Sequence, residues 1–165
     1  KSSNIERILF DLYGPVRTKE FMDDLNENNK FTLNEEELVL LQNVFSAVNS
    51  DDDYGLNIIK EASLEGYLMD PHTATCFKAY ENLKEKKLKT VMYSTAEWTK
   101  FSPTVLNALK SDDVQYSDKE ALDEISASFN IKITDSIKDL FDSEVIHKSV
   151  INKDEIEKEI INFIK

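Results

Sequence analysis

The sequence predicts a helix-rich α/β fold, and three observations support this prediction. Apolar residues recur at helical spacing along most of the 165-residue chain. Short segments rich in β-branched and aromatic residues lie between the helical stretches, as expected for strands wrapped by helices. Residue types that begin and end helices stand at the boundaries. With 41% hydrophobic residues, the chain is apolar enough to fold despite its 32% charged residues.

Two helices are predicted at the N-terminal end. Ser3 and Glu6 have the spacing of a capping box, which would begin a first helix. This helix is expected to end at Gly14-Pro15, because proline cannot continue it. A second helix is predicted over residues 18–25.

The next segment is expected to contain a loop, a short strand and a helix. The polar run 26–29 has the composition of a loop, and residues 31–33 are a strand candidate. Asn34 is placed to cap a helix. Residues 45–48 are also compatible with a strand. The apolar positions of the helix are Leu38, Leu41, Val44 and Phe45.

The middle of the chain predicts two helices joined by an extended link. The first begins at Asp52 or the following Asp, and Gly66 stands where a left-handed C-terminal cap is expected. Residues 67–69 then leave it in extended form. Asp70 and Pro71 are the preferred N-cap and first residue of the second helix. Its apolar stripe comprises Ala74, Phe77, Tyr80 and Leu83.

One more strand and three more helices complete the prediction. Residues 90–94, Thr-Val-Met-Tyr-Ser, are typical of a strand that is covered on both faces. Ser102-Pro103 begins a helix, and the polar run 111–116 is predicted to be a loop. Two capping boxes begin the remaining helices, namely Ser117 with Glu120 and Asn152 with Glu155.

Composition excludes several classes of partner. Lys and Arg number 20 against 32 Asp and Glu, which gives a net charge of −12. A field of this sign repels polyanions, and no basic stripe collects along the chain. We therefore expect neither nucleic acid nor a membrane as a partner. Cys76 is the single cysteine, and no leader pattern or run of about 18 apolar residues is present, so a reducing, cytoplasmic setting is expected.

The residues offer no complete catalytic constellation. His72 and His147 are the only histidines, and neither has a metal-binding spacing to Cys76 or a nucleophile elbow nearby. The three glycines do not form a phosphate-binding loop. The sequence thus predicts no metal site and no independent phosphate cradle.

Two motifs carry more information than the rest of the sequence. Residues 66–74 read Gly-Tyr-Leu-Met-Asp-Pro-His-Thr-Ala, and residues 94–101 read Ser-Thr-Ala-Glu-Trp-Thr-Lys-Phe. A third segment precedes them, because residues 2–9 read Ser-Ser-Asn-Ile-Glu-Arg-Ile-Leu. In order and separation, these segments resemble the late motifs of threonine synthases. Those enzymes use pyridoxal phosphate (PLP) to convert O-phosphohomoserine and water into threonine and phosphate.

The resemblance implies a place for this chain in a larger fold. It corresponds to the helix-rich C-terminal portion of a two-domain PLP enzyme of the tryptophan-synthase-like fold. Residues 1–66 would belong to the small domain and connector, and residues 67–110 would return to the PLP-binding domain. Residues 111–165 would form a C-terminal helical region.

The resemblance also implies a cofactor site at the second motif. In the family, a Ser or Thr after a late strand faces the pyridine nitrogen of the cofactor, and Thr95 corresponds to it, with Ser94 beside it. The alternative for Thr95 is a strand-capping role. The usual family motif is Ser-Thr-Ala-His-Pro-Ala-Lys-Phe, so Glu97-Trp98-Thr99 departs from it. This change exchanges an imidazole for a carboxylate near the cofactor and leaves the substrate preference open.

Further residues are candidates for substrate binding by the same resemblance. Each has a structural alternative, either an exposed charge or a side chain that supports the fold. The Schiff-base lysine of the family lies in a motif that is absent here, so no catalytic residue is assigned to this chain. The candidates are Lys100, His72, Arg7 and Asn4.

The sequence therefore predicts the C-terminal portion of a threonine synthase, a carbon–oxygen lyase of threonine biosynthesis. PLP would be bound mainly by the upstream half of the same enzyme, and the fragment alone would be inactive. The alternatives are a non-catalytic acidic α/β interaction or regulatory domain, or a related PLP lyase with another substrate.

Overall fold

The structure, a computed structural model, describes residues 4–164, so Ser3 of the first predicted capping box lies outside the described residues. Eight α-helices and two short 3-10 helices occupy this range. The 3-10 helices are Trp98–Phe101 and Lys153–Glu155. The α-helices are α1 (Ile5–Asn28), α2 (Glu35–Gln42), α3 (Asp52–Leu64), α4 (Pro71–Leu83), α5 (Ser102–Lys110), α6 (Asp118–Phe129), α7 (Asp135–Asp142) and α8 (Ile156–Ile164).

The predicted strands are not observed. Residues 4–164 contain no β-strand, and both 31–33 and 90–94 lack regular secondary structure. Val91 and Tyr93 are 73% and 78% exposed, where a strand covered on both faces was expected. A strand needs a neighbour to pair its N–H and C=O groups, and the described residues supply none. The helix-rich character is confirmed, whereas the two-domain α/β arrangement stays a prediction.

The first two predicted helices meet at a kink inside α1. Gly14 has φ 76° and ψ 175°, a conformation that glycine adopts without steric strain, and Pro15 follows it. The predicted loop at 26–29 is largely wrong, because the helix continues to Asn28. Its C-cap is Asn29, which has the left-handed φ of 58°.

Helices α1 and α2 are joined by contacts to Glu37. The Tyr13 hydroxyl donates to the backbone oxygen of Glu37 at 2.6 Å, and Arg17 Nε donates to its carboxylate at 2.6 Å. The rings of Phe21 and Phe31 lie with their centroids 5.1 Å apart. These contacts fold the N-terminal segment back on itself.

The predicted cap of α2 is confirmed. The side chain of Asn34 accepts from the backbone N–H of Glu37 at 2.9 Å, and the Glu37 carboxylate accepts from the backbone N–H of Asn34 at 2.8 Å. The helix nevertheless ends at Gln42. Val44 and Phe45, which were expected on its apolar stripe, therefore lie beyond it and are exposed.

Helices α3 to α6 enclose the main core. Helix α3 packs on α4 and α5, and α5 packs on α6. The core contains residues from each of the three predicted segments, 1–66, 67–110 and 111–165. The boundaries between these segments stay a prediction. Its buried residues are Ile59, Met69, Ala74, Trp98, Val105, Leu106, Ala108, Ala121, Leu122, Ile125 and Ile133.

The C-terminal part of the chain is helical but exposed. Every residue from 138 to 164 is exposed, including both turns of α8. The capping box of Asn152 with Glu155 is confirmed, and a 3-10 turn precedes α8. Helix α7 was not predicted, because it has only eight residues and begins without a side-chain cap. None of the helices in residues 4–164 is both long and apolar enough to cross a membrane.

Candidate functional site

A Schellman motif at the end of α3 directs the chain into the first motif. The Gly66 N–H donates to the Ser63 oxygen and the Tyr67 N–H to the Ala62 oxygen, each at 3.0 Å. Gly66 has φ 81°, as the predicted left-handed cap requires. Residues 67–69 have no regular secondary structure, and Met69 is buried in the core. This fixes where α4 begins.

Asp70 begins α4 as predicted and is fully buried. Its Oδ1 accepts from the backbone N–H groups of His72 at 2.9 Å and Thr73 at 3.2 Å. Its Oδ2 accepts from the Thr73 hydroxyl. Pro71 occupies the first turn, where its missing N–H has no consequence. Asp70 is thus completely buried, and both of its carboxylate oxygens accept hydrogen bonds.

The second motif is held by Trp98. This indole is 9% exposed and belongs to the core, where it anchors the short 3-10 helix that leads into α5. The Glu97 carboxylate accepts from the Thr99 hydroxyl, which closes a local turn. All three residues that depart from the family motif therefore contribute to local structure: Glu97 and Thr99 by a hydrogen bond and Trp98 by apolar burial.

The two motifs meet through side-chain hydroxyls. The Thr73 and Ser94 oxygens lie 3.1 Å apart, and the Ser94 hydroxyl donates to the Ala96 backbone oxygen at 3.1 Å. We refer to Asp70, Thr73, Ser94 and Ala96 as the motif junction. The junction places the loop that carries the cofactor candidates against the N-terminus of α4.

The candidate residues next to the motif junction, His72, Thr95 and Lys100, are exposed. The His72 and Phe101 rings form an edge-to-face pair with centroids 5.0 Å apart, and Lys100 Nζ lies 5.6 Å from the Phe101 centroid. Thr95 is exposed, and its hydroxyl has no partner among residues 4–164. Ser94, Thr95, His72 and Lys100 are thus brought into one region by the fold.

Asn4 and Arg7 are not brought into this region. Both are exposed at the start of α1. Arg7 lines a groove with Val44 and Phe45, and none of the residues 66–74 or 94–101 lines that groove. Their assignment to substrate binding stays a prediction from the resemblance.

A larger groove lies elsewhere. It has a volume of about 890 Å³ and is lined by α3, the start of α4, α5 and the residues that follow α5, including Asp112. Ser94, Thr95 and Lys100 do not line it. Within the described residues, no group of His, Cys, Asp or Glu side chains is arranged to hold a metal ion. The candidate residues Ser94, Thr95, His72 and Lys100 are all exposed.

Comparison with a solved structure defines the class of this fold. No protein-family model matches the chain. The chain does superimpose on PLP-bound threonine synthase from Brucella melitensis with a TM-score of 0.55 and 30% sequence identity. The match covers 70% of this chain and 26% of that chain. The helix-rich fold thus corresponds to a segment of a threonine synthase.

Curated relatives give the same result. The proteins named threonine synthase-like 1 from Homo sapiens and Macaca fascicularis are each 28% identical to this chain over 126 residues. The aligned region is 74% of this chain and spans only 17% of the relatives' length. The chain is therefore threonine synthase-like, which confirms the resemblance predicted from its motifs.

The sequence interpretation missed two parts of the site. Asp70 was recognised as a helix cap, but the use of its second oxygen by Thr73 was not foreseen. An Asp at the N-cap with Thr three residues later is the signal for this pair, because the two side chains lie on one side of the first turn. The pairing of His72 with Phe101 has no such local signal, since the two residues are far apart in sequence.

Proposed function

We propose that this chain is the C-terminal portion of a PLP-dependent threonine synthase. The reaction converts O-phospho-L-homoserine and water into L-threonine and phosphate, and the enzyme class is that of carbon–oxygen lyases. One observation supports this proposal most directly: Thr73 and Ser94 join the two motifs at 3.1 Å, which holds the Ser94-Thr95 loop in place. The same proposal includes the two-domain α/β fold and, because Cys76 is single and unpaired, a cytoplasmic location.

The residues at this loop fit the cofactor. Bound PLP supplies an electron sink for reactions at the amino acid Cα. The exposed Thr95 hydroxyl, which has no protein partner in the part of the chain that is described, is available to face the pyridine nitrogen. A hydroxyl can donate or accept, so it does not enforce protonation of that nitrogen as a carboxylate would. The phosphate group would be held by the upstream half of the enzyme, which also supplies the lysine.

The residues around Phe101 fit an anionic substrate. His72 and Lys100 both contact the Phe101 ring. An ammonium group at this position can bind a phosphate or a carboxylate as a point charge. Arg7 and Asn4 lie at the start of α1. They would take part in substrate binding only if the substrate also contacted the surface of α1.

The test is phosphate release from O-phospho-L-homoserine in the presence of PLP. The gene-length protein is expected to release phosphate, and the 165-residue chain alone is expected to be inactive. In the gene-length protein, Thr95→Val should weaken activity, because it removes the hydroxyl from an exposed position where Val does not disturb the core. Thr104→Val is the matched control, since Thr104 is exposed on α5 and outside the site.

Two other results would change the proposal. Bound PLP without phosphate release would indicate a related PLP lyase, with Glu97-Trp98-Thr99 selecting another substrate. Absence of both PLP binding and turnover would favour the non-catalytic interaction domain.

A further inference from the structure

We propose that Thr73 is a positioning residue, which connects the buried carboxylate of Asp70 to Ser94 and thereby holds the Thr95 loop. This inference rests on the proposed PLP function. It concerns a residue that need not touch the cofactor or the substrate. The evidence is the continuous series of contacts from Asp70 through Thr73 to Ser94.

The fixed end of this link is Asp70. An N-cap requires one acceptor oxygen for the free N–H groups of the first turn, and Oδ1 of Asp70 meets this need. The second oxygen is therefore available to the Thr73 hydroxyl. Both residues are buried, Asp70 at 0% and Thr73 at 5% exposure, so the pair is shielded from competing water.

The end that needs support is Ser94. Residues 90–95 have no regular secondary structure and no sheet partner in the described range. Within residues 4–164, the contact with Thr73 is the one hydrogen bond that this segment makes to another element. Since Thr95 follows Ser94 directly, the direction of its hydroxyl depends on how Ser94 is held.

The proton count defines the direction of the link. Each hydroxyl has one proton and two acceptor sites. The Thr73 hydroxyl is the donor of the link, and it lies between two acceptors, Asp70 Oδ2 and the Ser94 oxygen at 3.1 Å. The Ser94 proton is donated to the Ala96 carbonyl at 3.1 Å, which leaves the Ser94 oxygen free to accept. The Asp70 carboxylate keeps the Thr73 hydroxyl in place, because a charged acceptor forms the stronger hydrogen bond.

A double-mutant cycle in the gene-length protein without cofactor tests the link directly. Thr73→Val removes the hydroxyl and keeps the shape of the side chain, and Ser94→Ala removes its partner. We expect the two changes to be coupled by about fivefold in the unfolding equilibrium constant. Thr75→Val with Ser94→Ala is the control cycle. Thr75 lies on the same helix and donates to the His72 backbone oxygen, so no coupling is expected.

PLP titration of the same variants tests the positioning role. Thr73→Val should shift the absorption band of bound PLP and weaken PLP binding, whereas Thr73→Ser should restore both. Thr75→Val should change neither. If Val at position 73 compromises folding, Thr73→Ser and Thr73→Ala replace it, because these two variants differ only in the hydroxyl oxygen.

The outcomes separate the two proposals. Absence of coupling in the cycle, while the unaltered protein binds PLP, overturns the link and leaves the proposed function in place. Coupling without any effect of Thr73→Val on bound PLP overturns the positioning role. Failure of the unaltered protein to bind PLP overturns the proposed function and the cofactor role of Thr73 together.

Discussion

Helices α6 and α8 begin in the same way. Before α6, the Ser117 backbone N–H donates to the Glu120 carboxylate at 2.9 Å, and at the 3-10 turn that leads into α8 the Asn152 backbone N–H donates to the Glu155 carboxylate at 3.0 Å. Each capping box pairs N–H groups that the helix itself cannot satisfy. Both boxes precede apolar residues at helical spacing. The two segments therefore carry the same local helix signals, and both are helical.

The apolar face of α6 is buried, whereas that of α8 is exposed. Ala121 and Ile125 of α6 are completely buried, whereas Ile160 and Phe163 of α8 are 54% and 92% exposed. Helix α6 packs on α5, whose own face is buried by α3. The comparison shows that capping and periodicity decide whether a helix forms, while burial depends on an apolar partner that no local pattern reveals.

Substitution of an aromatic residue is expected to show the largest difference in stability loss between the core and the exposed C-terminal tail. Trp98→Ala in the core should lower the free energy of unfolding by about 3–5 kcal/mol, because it leaves a cavity among α3 to α6. Phe163→Ala in the exposed tail should change it by less than about 0.5 kcal/mol. Urea unfolding of the 165-residue chain, followed by far-UV circular dichroism, measures both.

A graded variant makes this test more specific. Trp98→Phe retains an aromatic ring and should cost less than Trp98→Ala. Equal losses for Trp98→Ala and Phe163→Ala would show that the tail is packed, and the contrast between core and tail would then be wrong.

A smaller difference is expected for one aliphatic residue on each helix. Ile125→Ala should destabilise the chain by about 2–5 kcal/mol, since Ile125 is fully buried. Ile160→Ala, the same chemical change on α8, should be within about 0.5 kcal/mol of neutral. The midpoint of urea unfolding for the two variants provides the comparison. A marked destabilisation by Ile160→Ala would contradict the exposure of the α8 face.

The helices of this chain could be predicted because their signals are local. The caps at Asn34, Asp70 and Ser117 and the left-handed Gly66 are confirmed, since each depends on residues within one turn. The strand predicted at 90–94 depended on a partner strand. Its composition alone could not supply one, and the segment has no regular secondary structure.

The candidate site shows the same limit. The motifs indicated which residues matter, and the fold places four of them together. The contact between Thr73 and Ser94 could not be predicted, because it joins residues that are 21 positions apart across a helix and a loop. Trp98 was read as a departure from a family motif, whereas its burial shows a role in the core.

The smallest expected difference concerns the two capping boxes. Ser117→Ala should lower the free energy of unfolding by about 1 kcal/mol, because α6 is part of the core and frays only when the core opens. Asn152→Ala removes the side chain that donates to the Glu155 carboxylate at the 3-10 turn before the exposed helix α8. It should reduce the helix content of α8 and leave the unfolding of the core unchanged.

Trp98 makes these two effects separable. It is the single tryptophan of the chain and lies in the core, so its fluorescence reports core unfolding, while circular dichroism reports total helix content. Ser117→Ala should shift both signals to lower urea. Asn152→Ala should reduce the circular dichroism signal before unfolding and leave the fluorescence midpoint unchanged. A fluorescence midpoint that moves equally in the two variants would mean that α8 unfolds together with the core, and the two helices would then differ in exposure but not in cooperativity.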